Sequence, residues 1–337
     1  MLNFQNLIFG AHQLTIKEHK SAIEDKPQIV QIIYHALTAL HFVVIFLPVV
    51  IINFFQMASV LILPISKKVF HRINRAFANF YWGFLVFYMR YISKIEIIIA
   101  GDEIPEKANV IMESNHQNIA DIPVMMELGW QKKRLGDYKF FVKDVIKYVP
   151  GPGWGMLFLN CIFVKRNWQA DKKNIEDTFE SLKSNRLNYW LISFLEGTRI
   201  TPEKYERNLR FMNRRGLPIT KNVMAPRTKG FLATIEALRD NTDAVYNLTI
   251  YYPAGIPNMW QLIGGEVDQV VIHVSRTNMN QLPTDITAIE KWIIEKYVEK
   301  DLLLTALKAR QDRSDASWTK EEVNRITSTQ VSPNEKG

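Results

Sequence analysis

His116 and Asp121 stand five residues apart in "ESNHQNIADIPVMMELGW" (113–130), where an apolar run breaks into a polar turn. On a regular helix these side chains would point about 140° apart, at 3.6 residues per turn. They can meet only if His116 sits in the turn and Asp121 in the first turn of the following helix. Pro123 supports that start, because proline is tolerated in a helix's first turn and damaging further in. An imidazole at a strand's carboxyl end lies where open α/β sheets place their ligand crevice. A carboxylate that accepts from one ring nitrogen fixes the tautomer and leaves the other nitrogen as a base, as in the serine hydrolases. Such a pair can act on a hydroxyl brought by the substrate. The same two residues also fit a helix-capping aspartate beside an ordinary turn histidine, and the pair alone does not decide between these.

Two further strand ends carry chemistry. "SFLEGTRITPEKY" (193–205) sets Glu196, Gly197, Thr198 and Arg199 directly after an apolar strand. Gly197 permits close backbone approach. Arg199 offers a planar fork for a phosphate, and Glu196 can orient that arginine or accept a substrate hydroxyl. "CIFVKRN" ends its strand in Lys165 and Arg166. Each end alone reads as a solvated charged turn; a base, an acid and phosphate-ready cations on three strand ends form a candidate site together. Cys161, the single cysteine, lies in the apolar "LNCIFV" and reads as a packed core thiol, with no internal disulfide possible.

The elements that must carry these residues alternate. Short apolar runs rich in β-branched and aromatic residues follow "IEIIIAG", at 107–114, 139–144, 160–166, 189–195, 244–252 and 267–275. Helical patterns lie at 120–130, 169–184, 203–213 and 228–239, and a long one at 285–310 follows the last strand. This order predicts an α/β fold with a mixed, largely parallel sheet and flanking helices. The chain is 47% hydrophobic, enough to bury a sizeable core, and its formal charge of +8 suggests an anionic partner. No charge occurs between Lys26 and Lys67, and "FVVIFLPVVIINFFQMASVLILPI" (42–65) exceeds the roughly 20 residues a spanning helix needs. The shorter aromatic run 76–89 suits a membrane interface, and Lys67, Lys68, Arg72 and Arg75 between the two runs favour a cytoplasmic position for everything downstream. With Pro48 and Asn53 as possible bends, the N-terminal segment is a membrane helix or a one-leaflet hairpin. The expected organisation is an N-terminal arm with anchoring helices over 1–95, the α/β domain over 96–310, and a loose polar tail over 311–337.

Taken together, the motifs resemble the glycerolipid acyltransferases that make phosphatidic acid from lysophosphatidic acid. Asn115, His116 and Asp121 match that family's first motif. "GMLFLNCIFVKR" with Arg166 matches its second, "FLEGTR" with Glu196, Gly197, Thr198 and Arg199 its third, and "NVMAPRTKGF" with Pro226 its fourth. The four occur in order over roughly residues 40–300. Asn118 stands where serine is frequent, and Leu195 replaces the usual proline. "APRTKGF", "YNLTIYYP" and "KWIIEKYVEKDLLL" are similar to the branch of lysocardiolipin-type acyltransferases and their bacterial inner-membrane relatives. The resemblance implies a membrane-bound O-acyltransferase with His116 as general base, steadied by Asp121. Arg166, Glu196, Gly197, Thr198, Arg199 and Pro226 would form the binding set for the glycerol-phosphate head. It implies acyl-CoA or acyl-ACP (acyl carrier protein) as donor substrate, no bound cofactor or metal, and a lysophospholipid acceptor among membrane phospholipids. The location implied is a bacterial inner membrane, or the endoplasmic reticulum or a mitochondrial membrane in a eukaryote, with the catalytic domain facing the cytoplasm. Basic stretches "QKKR" (131–134) and "RNLRFMNRR" (207–215) suit lipid headgroups, coenzyme A phosphates or an acidic carrier, or are plain solvated faces.

The rival within the enzyme class is a remodelling acyltransferase for lysophosphatidylglycerol or lysocardiolipin; outside it, a non-catalytic lipid-binding module. The seven histidines show no paired ligand spacing that would suggest a metal hydrolase. Nucleic-acid binding fits the charge but lacks any recognition motif.

Overall fold

The structure, a computed structural model, describes residues 16–313 and 316–331. Seven strands form one sheet: β1 (Glu96–Gly101), β2 (Val110–Ser114), β3 (Tyr138–Lys143), β4 (Ile162–Val164), β5 (Trp190–Ser193), β6 (Ala244–Tyr251) and β7 (Gln269–Asn278), in the order β1-β7-β6-β2-β5-β3-β4. Every pair is parallel except β6 with β7. The sheet is therefore mixed and largely parallel, as the sequence predicts. All of β2, β5 and β6 is buried, which is why these strands read as continuous apolar runs rather than alternating ones. Because β2, β3, β4, β5 and β6 run the same way, their carboxyl ends share one rim.

Helices cover both faces. On one lie α1 (Gln28–Ser59), α2 (Lys67–Phe87), α3 (Asp121–Gln131) and the short α4 (Pro152–Phe158), meeting Met112, Phe140 and Ile192 of the sheet. On the other lie α5 (Trp168–Ser184), α7 (Thr228–Leu238), the long α9 (Ile286–Gln311) and α10 (Lys320–Val331), meeting Ile111, Leu191 and Val245. Between them in sequence come α6 (Pro202–Arg215) and the short α8 (Met259–Ile263). The alternation of faces along β2 (Val110 and Met112 one way, Ile111 the other) follows from the period-two pleat.

α1 runs on through a 3₁₀ turn to Ile62 and is long and apolar enough to cross a membrane. At 1.5 Å per residue its 32 α-helical residues span about 48 Å, against a bilayer core of about 30 Å. Most of its apolar side chains, Phe54 and Phe55 among them, are exposed. Asn53 and Pro48 do not break it. Instead Asn53 is buried, donating to Gln56 Oε1 at 2.8 Å and accepting from Gly151 N at 2.8 Å. Gly151 has φ +85°, and a Cβ there would stand 3.1 Å from Val49.

Three expectations are corrected. Much of the 76–89 run, taken as interfacial, is core: Ala78, Tyr81, Trp82 and Val86 are buried against α3 and the sheet, because apolar residues at helical spacing form a stripe that packs. Arg75 and Arg134, counted as surface cations, both pair with the buried Asp137, at 2.6 and 2.5 Å, and so join α2 to the turn before β3. The tail expected to be loose from Gln311 is helical from Lys320 to Val331, with Trp318 and Val323 buried and Arg310 bound to Glu322. Trp318, Val323 and Ile326 pack it on the core, and Asn324 Oδ1 accepts from Gly101 N of β1 at 2.9 Å. Residues 332–337, the end of that tail, and 1–15 of the N-terminal arm lie outside the described residues.

Candidate active site

β2 pairs with β6 as far as Ser114 and Leu248. Asn115 then extends the ladder with its side chain, accepting from Ile250 N at 2.8 Å and donating to Ile250 O at 2.9 Å. The side-chain amide presents the same donor and acceptor pair as a backbone peptide, and so continues the ladder pattern. His116 follows at the rim, and α3 begins at Asp121. His116 Nδ1 meets Asp121 Oδ2 at 3.0 Å, so turn and helix start do bring the pair together. The same oxygen accepts from Gln117 N at 2.6 Å and Asn118 N at 2.9 Å, while Tyr252 Oη donates to Oδ1 at 2.8 Å. The capping and the imidazole-holding readings of Asp121 are therefore both true of one carboxylate, which is fully buried. Burial beside Asp121 raises the Tyr252 phenol well above its usual pKa and keeps it a donor. The ring of His116 stacks on Phe194 with centroids 4.1 Å apart, and its side chain stays 14% exposed.

Glu196 is held by backbone donors. It is buried, accepting from His116 N at 3.0 Å and Met224 N at 3.3 Å, and thus ties the β2 turn to the β5 turn and the 224–226 segment. Burial pushes its pKa up to about 8. Ile200 N donates to His116 O at 3.0 Å, completing the bracket.

Beside this bracket, on the α5–α9 face, opens a cavity of about 1480 Å³. Arg166, Glu196, Gly197, Thr198 and Pro226 line it, as does Phe194; His116 borders it through that ring rather than lining it. Arg199 is exposed and does not line the cavity, although its carbonyl accepts from Lys204 Nζ at 3.2 Å. Arg166 sits at φ +64°, a left-handed conformation rare for a side chain of this kind. Asp171 holds that turn, accepting from Lys165 N at 2.7 Å and Asn167 N at 3.0 Å. Asp171 stands five residues after Arg166, as Asp121 stands five after His116. The shared spacing was the available signal for this second strand–turn–helix bracket, and sequence reasoning missed it.

Arg227, also missed although it adjoins Pro226, lies over Gly197: a Cβ on that glycine (φ +70°) would fall 2.8 Å from Arg227 Cδ. Lys204 and Arg207, from the first turns of α6, line the cavity too. Burial and then Arg227 depress the pKa of Arg166; burial and then Arg199, Arg166 and Arg207 depress that of Lys204. None of Arg166, Lys204, Arg207 and Arg227 forms an ion pair among the described residues. Four cations around one concavity raise the local positive potential there, although Asp171, Glu290 and Glu295 line it as well.

The chain matches the Acyltransferase family over residues 96–251 and the Acyltransferase C-terminus family over 261–332. The mouse protein 1-acyl-sn-glycerol-3-phosphate acyltransferase gamma is 30% identical over 278 residues, 81% of this chain and 73% of that protein. The chain belongs to the 1-acyl-sn-glycerol-3-phosphate acyltransferase family. Two further family members, from Arabidopsis thaliana, are similar. One, named probable 1-acyl-sn-glycerol-3-phosphate acyltransferase 5, is 33% identical over 69% of this chain and 64% of its own length. The other, 1-acyl-sn-glycerol-3-phosphate acyltransferase 2, is 31% identical over 75% of this chain and 67% of its own. The crystal structure of a 1-acyl-sn-glycerophosphate acyltransferase from Thermotoga maritima overlaps with a TM-score of 0.47 at 15% identity, covering 85% of this chain and 95% of that one. In this acyltransferase chain the bracket of His116, Asp121 and Glu196 falls within the first family match, and α9 and α10 within the second.

α9 contributes one more support that the sequence did not reveal. Lys300, fully buried, donates to Glu113 Oε2 at 3.1 Å and Leu248 O at 2.9 Å. It anchors the end of β2 just before the His116 turn.

Proposed function

We propose that this protein transfers a fatty acyl group from a thioester to the free hydroxyl of a lysophospholipid, 1-acyl-glycerol-3-phosphate before others, giving phosphatidic acid at a membrane. One observation carries the reading: Asp121 engages Nδ1 of His116, which leaves Nε2 as the base, on the same rim as the unpaired cations around Gly197. Nε2 takes the proton from the acceptor hydroxyl as its oxygen attacks the thioester carbonyl. The carbon–sulfur bond then breaks, and the departing thiolate takes the proton back from the imidazolium. General-base help of this kind contributes about 10²–10⁴-fold. The buried Asp121 carboxylate and the stacked Phe194 ring both favour the transient imidazolium. Arg166 and Arg227, with Lys204 and Arg207 behind them, supply forks and point charges for the acceptor's phosphate. Glu196 acts here as a strut that sets the height of His116, and Thr198 and Pro226 shape the wall. Acyl-CoA or acyl-ACP serves as donor.

The apolar α1 supports a membrane location, and Lys67, Lys68 and Arg72 at the start of α2 support a cytoplasmic catalytic side. Because the cationic cavity and α1 lie on opposite faces of the sheet, the imidazole stands at the rim between a headgroup site and the layer nearest the acyl chains.

The test crosses a panel of lysolipid acceptors with both donor types in membrane fractions, wild type against His116→Ala, following thiol release. The expected result is acyl transfer to lysophosphatidic acid that the variant loses while remaining folded and membrane-bound. An active, well-expressed His116→Ala protein overturns the mechanism; preference for lysophosphatidylglycerol or lysocardiolipin over lysophosphatidic acid replaces the acceptor.

A further inference from the structure

Between β3 and β4 the chain makes an excursion, residues 144–158, that no motif of the family resemblance covers in full and that the proposed chemistry does not use. It leaves the sheet at the carboxyl end of β3, the rim that carries His116, Glu196 and Arg166. Its backbone turns tightly on glycines, and at Gly153 a Cβ would meet Ile146 O at 1.9 Å. It presents Val145, Tyr148, Val149 and Leu157 outward, with Tyr148 70% exposed, while Met156 turns into the core. Large apolar side chains are not spent on solvent in such a cluster without a partner.

The neighbours indicate which partner. The excursion is bound to α1 through Gly151 N and Asn53 Oδ1, and Gly151 packs on Val49 and Val50. The exposed apolar side chains of α1, Val50, Ile51, Phe54 and Phe55 among them, therefore lie on the helix to which the segment carrying the exposed Tyr148 and Val149 is bound. At the edge of this patch lie Lys143 and Lys147, and the Lys147 ammonium sits 5.1 Å from the centre of the Tyr148 ring. Asp144, the segment's only acidic residue, is paired with Lys147 at 2.7 Å. A tyrosine beside lysines at the margin of an apolar surface is the arrangement that suits lipid headgroups, with the ring at the acyl boundary and the ammonium at the phosphates.

We propose that residues 144–158 form a second membrane contact, resting in the headgroup layer beside α1 and holding the catalytic rim at the bilayer surface. The proposal rests on α1 lying in a membrane, as read above. It gives the enzyme two lipid contacts on one face, so that the rim cannot swing away from the layer in which both acyl chains reside.

Spin labels test it. Single cysteines replace Tyr148, Leu47 on the exposed side of α1, and Lys173 on the opposite face, each in a Cys161→Ser background. The full chain is reconstituted in phosphatidylethanolamine–phosphatidylglycerol vesicles, and collision rates with oxygen and a water-soluble nickel chelate are compared. Expected is the highest oxygen-to-nickel ratio at position 47, the lowest at 173, and a value between them at 148. A ratio at 148 as low as that at 173, with 47 still oxygen-rich, overturns this proposal alone. Poor access of both probes to 148 identifies a protein partner or second copy and also overturns it. A nickel-accessible position 47 overturns the membrane reading itself, and this contact with it.

Discussion

Asp121→Asn separates what the carboxylate does as a shape from what it does as a charge. Oδ2 accepts from His116 Nδ1, Gln117 N and Asn118 N, whereas Oδ1 meets only the hydroxyl of Tyr252. An asparagine seated with its carbonyl at the Oδ2 position keeps all three acceptor bonds. Its amide then donates to Tyr252 Oη, which can accept as readily as donate. Turn, helix start and tautomer survive, and only the charge facing the imidazolium is lost. Nitrogen and oxygen stand 3.0 Å apart, which puts the two charge centres about 4 Å apart. At that distance, and an effective dielectric of about 20, the lost attraction is about 4 kcal/mol, or about 10³-fold in kcat. The assay is steady-state thiol release with saturating acceptor, read beside a melting curve. A kcat within about tenfold of wild type, at unchanged Tm, would show that Asp121 is a capping residue whose charge does nothing for the base. Asp121→Ala is the contrast: it strands two turn N–H groups and a buried phenol, and should lower Tm as well as rate.

Glu196 makes a prediction about pH. Its folded pKa near 8 lies above the ordinary carboxyl value of 4.5, so between those values the native state holds a proton that the unfolded chain releases. Stability from this group is full below the lower value and falls as pH rises toward 8, by up to about 1.4 kcal/mol per pH unit. Glu196→Gln should remove that slope, so Tm in detergent should fall less between pH 5 and 8 than in wild type; parallel declines would refute it. Arg166→Ala should raise the KM for a phosphate-bearing acceptor by about 10–100-fold, the worth of a charge-assisted hydrogen bond, with kcat nearly kept. A change confined to the thioester donor's KM would move the phosphate away from Arg166.

The sequence by itself determined the seven strands and the five helices between and after them that flank the sheet, in order, but not the helix Lys320–Val331 or the short helices Pro152–Phe158 and Met259–Ile263. Strand runs and helical stripes lie within a few residues of where the structure has them, because a buried parallel sheet demands unbroken apolar runs and the flanking helices a 3.6-residue period. Spacing and Pro123 also indicated a turn followed by a helix, the one geometry in which His116 and Asp121 can meet; the contact itself is seen only in the fold. What it could not show was which polar side chains the crossovers bring in from far along the chain. Tyr252 reaches Asp121 across 131 residues, Lys300 reaches Glu113 across 187, and Arg227 lies over Gly197. Nor could it show that Arg134 and Glu196 are buried and hold other parts of the chain, or that the half-exposed Arg75 turns to Asp137. Burial decides whether a charged residue is a ligand or a strut, and burial is a property of the packed layers, not of any local run of residues.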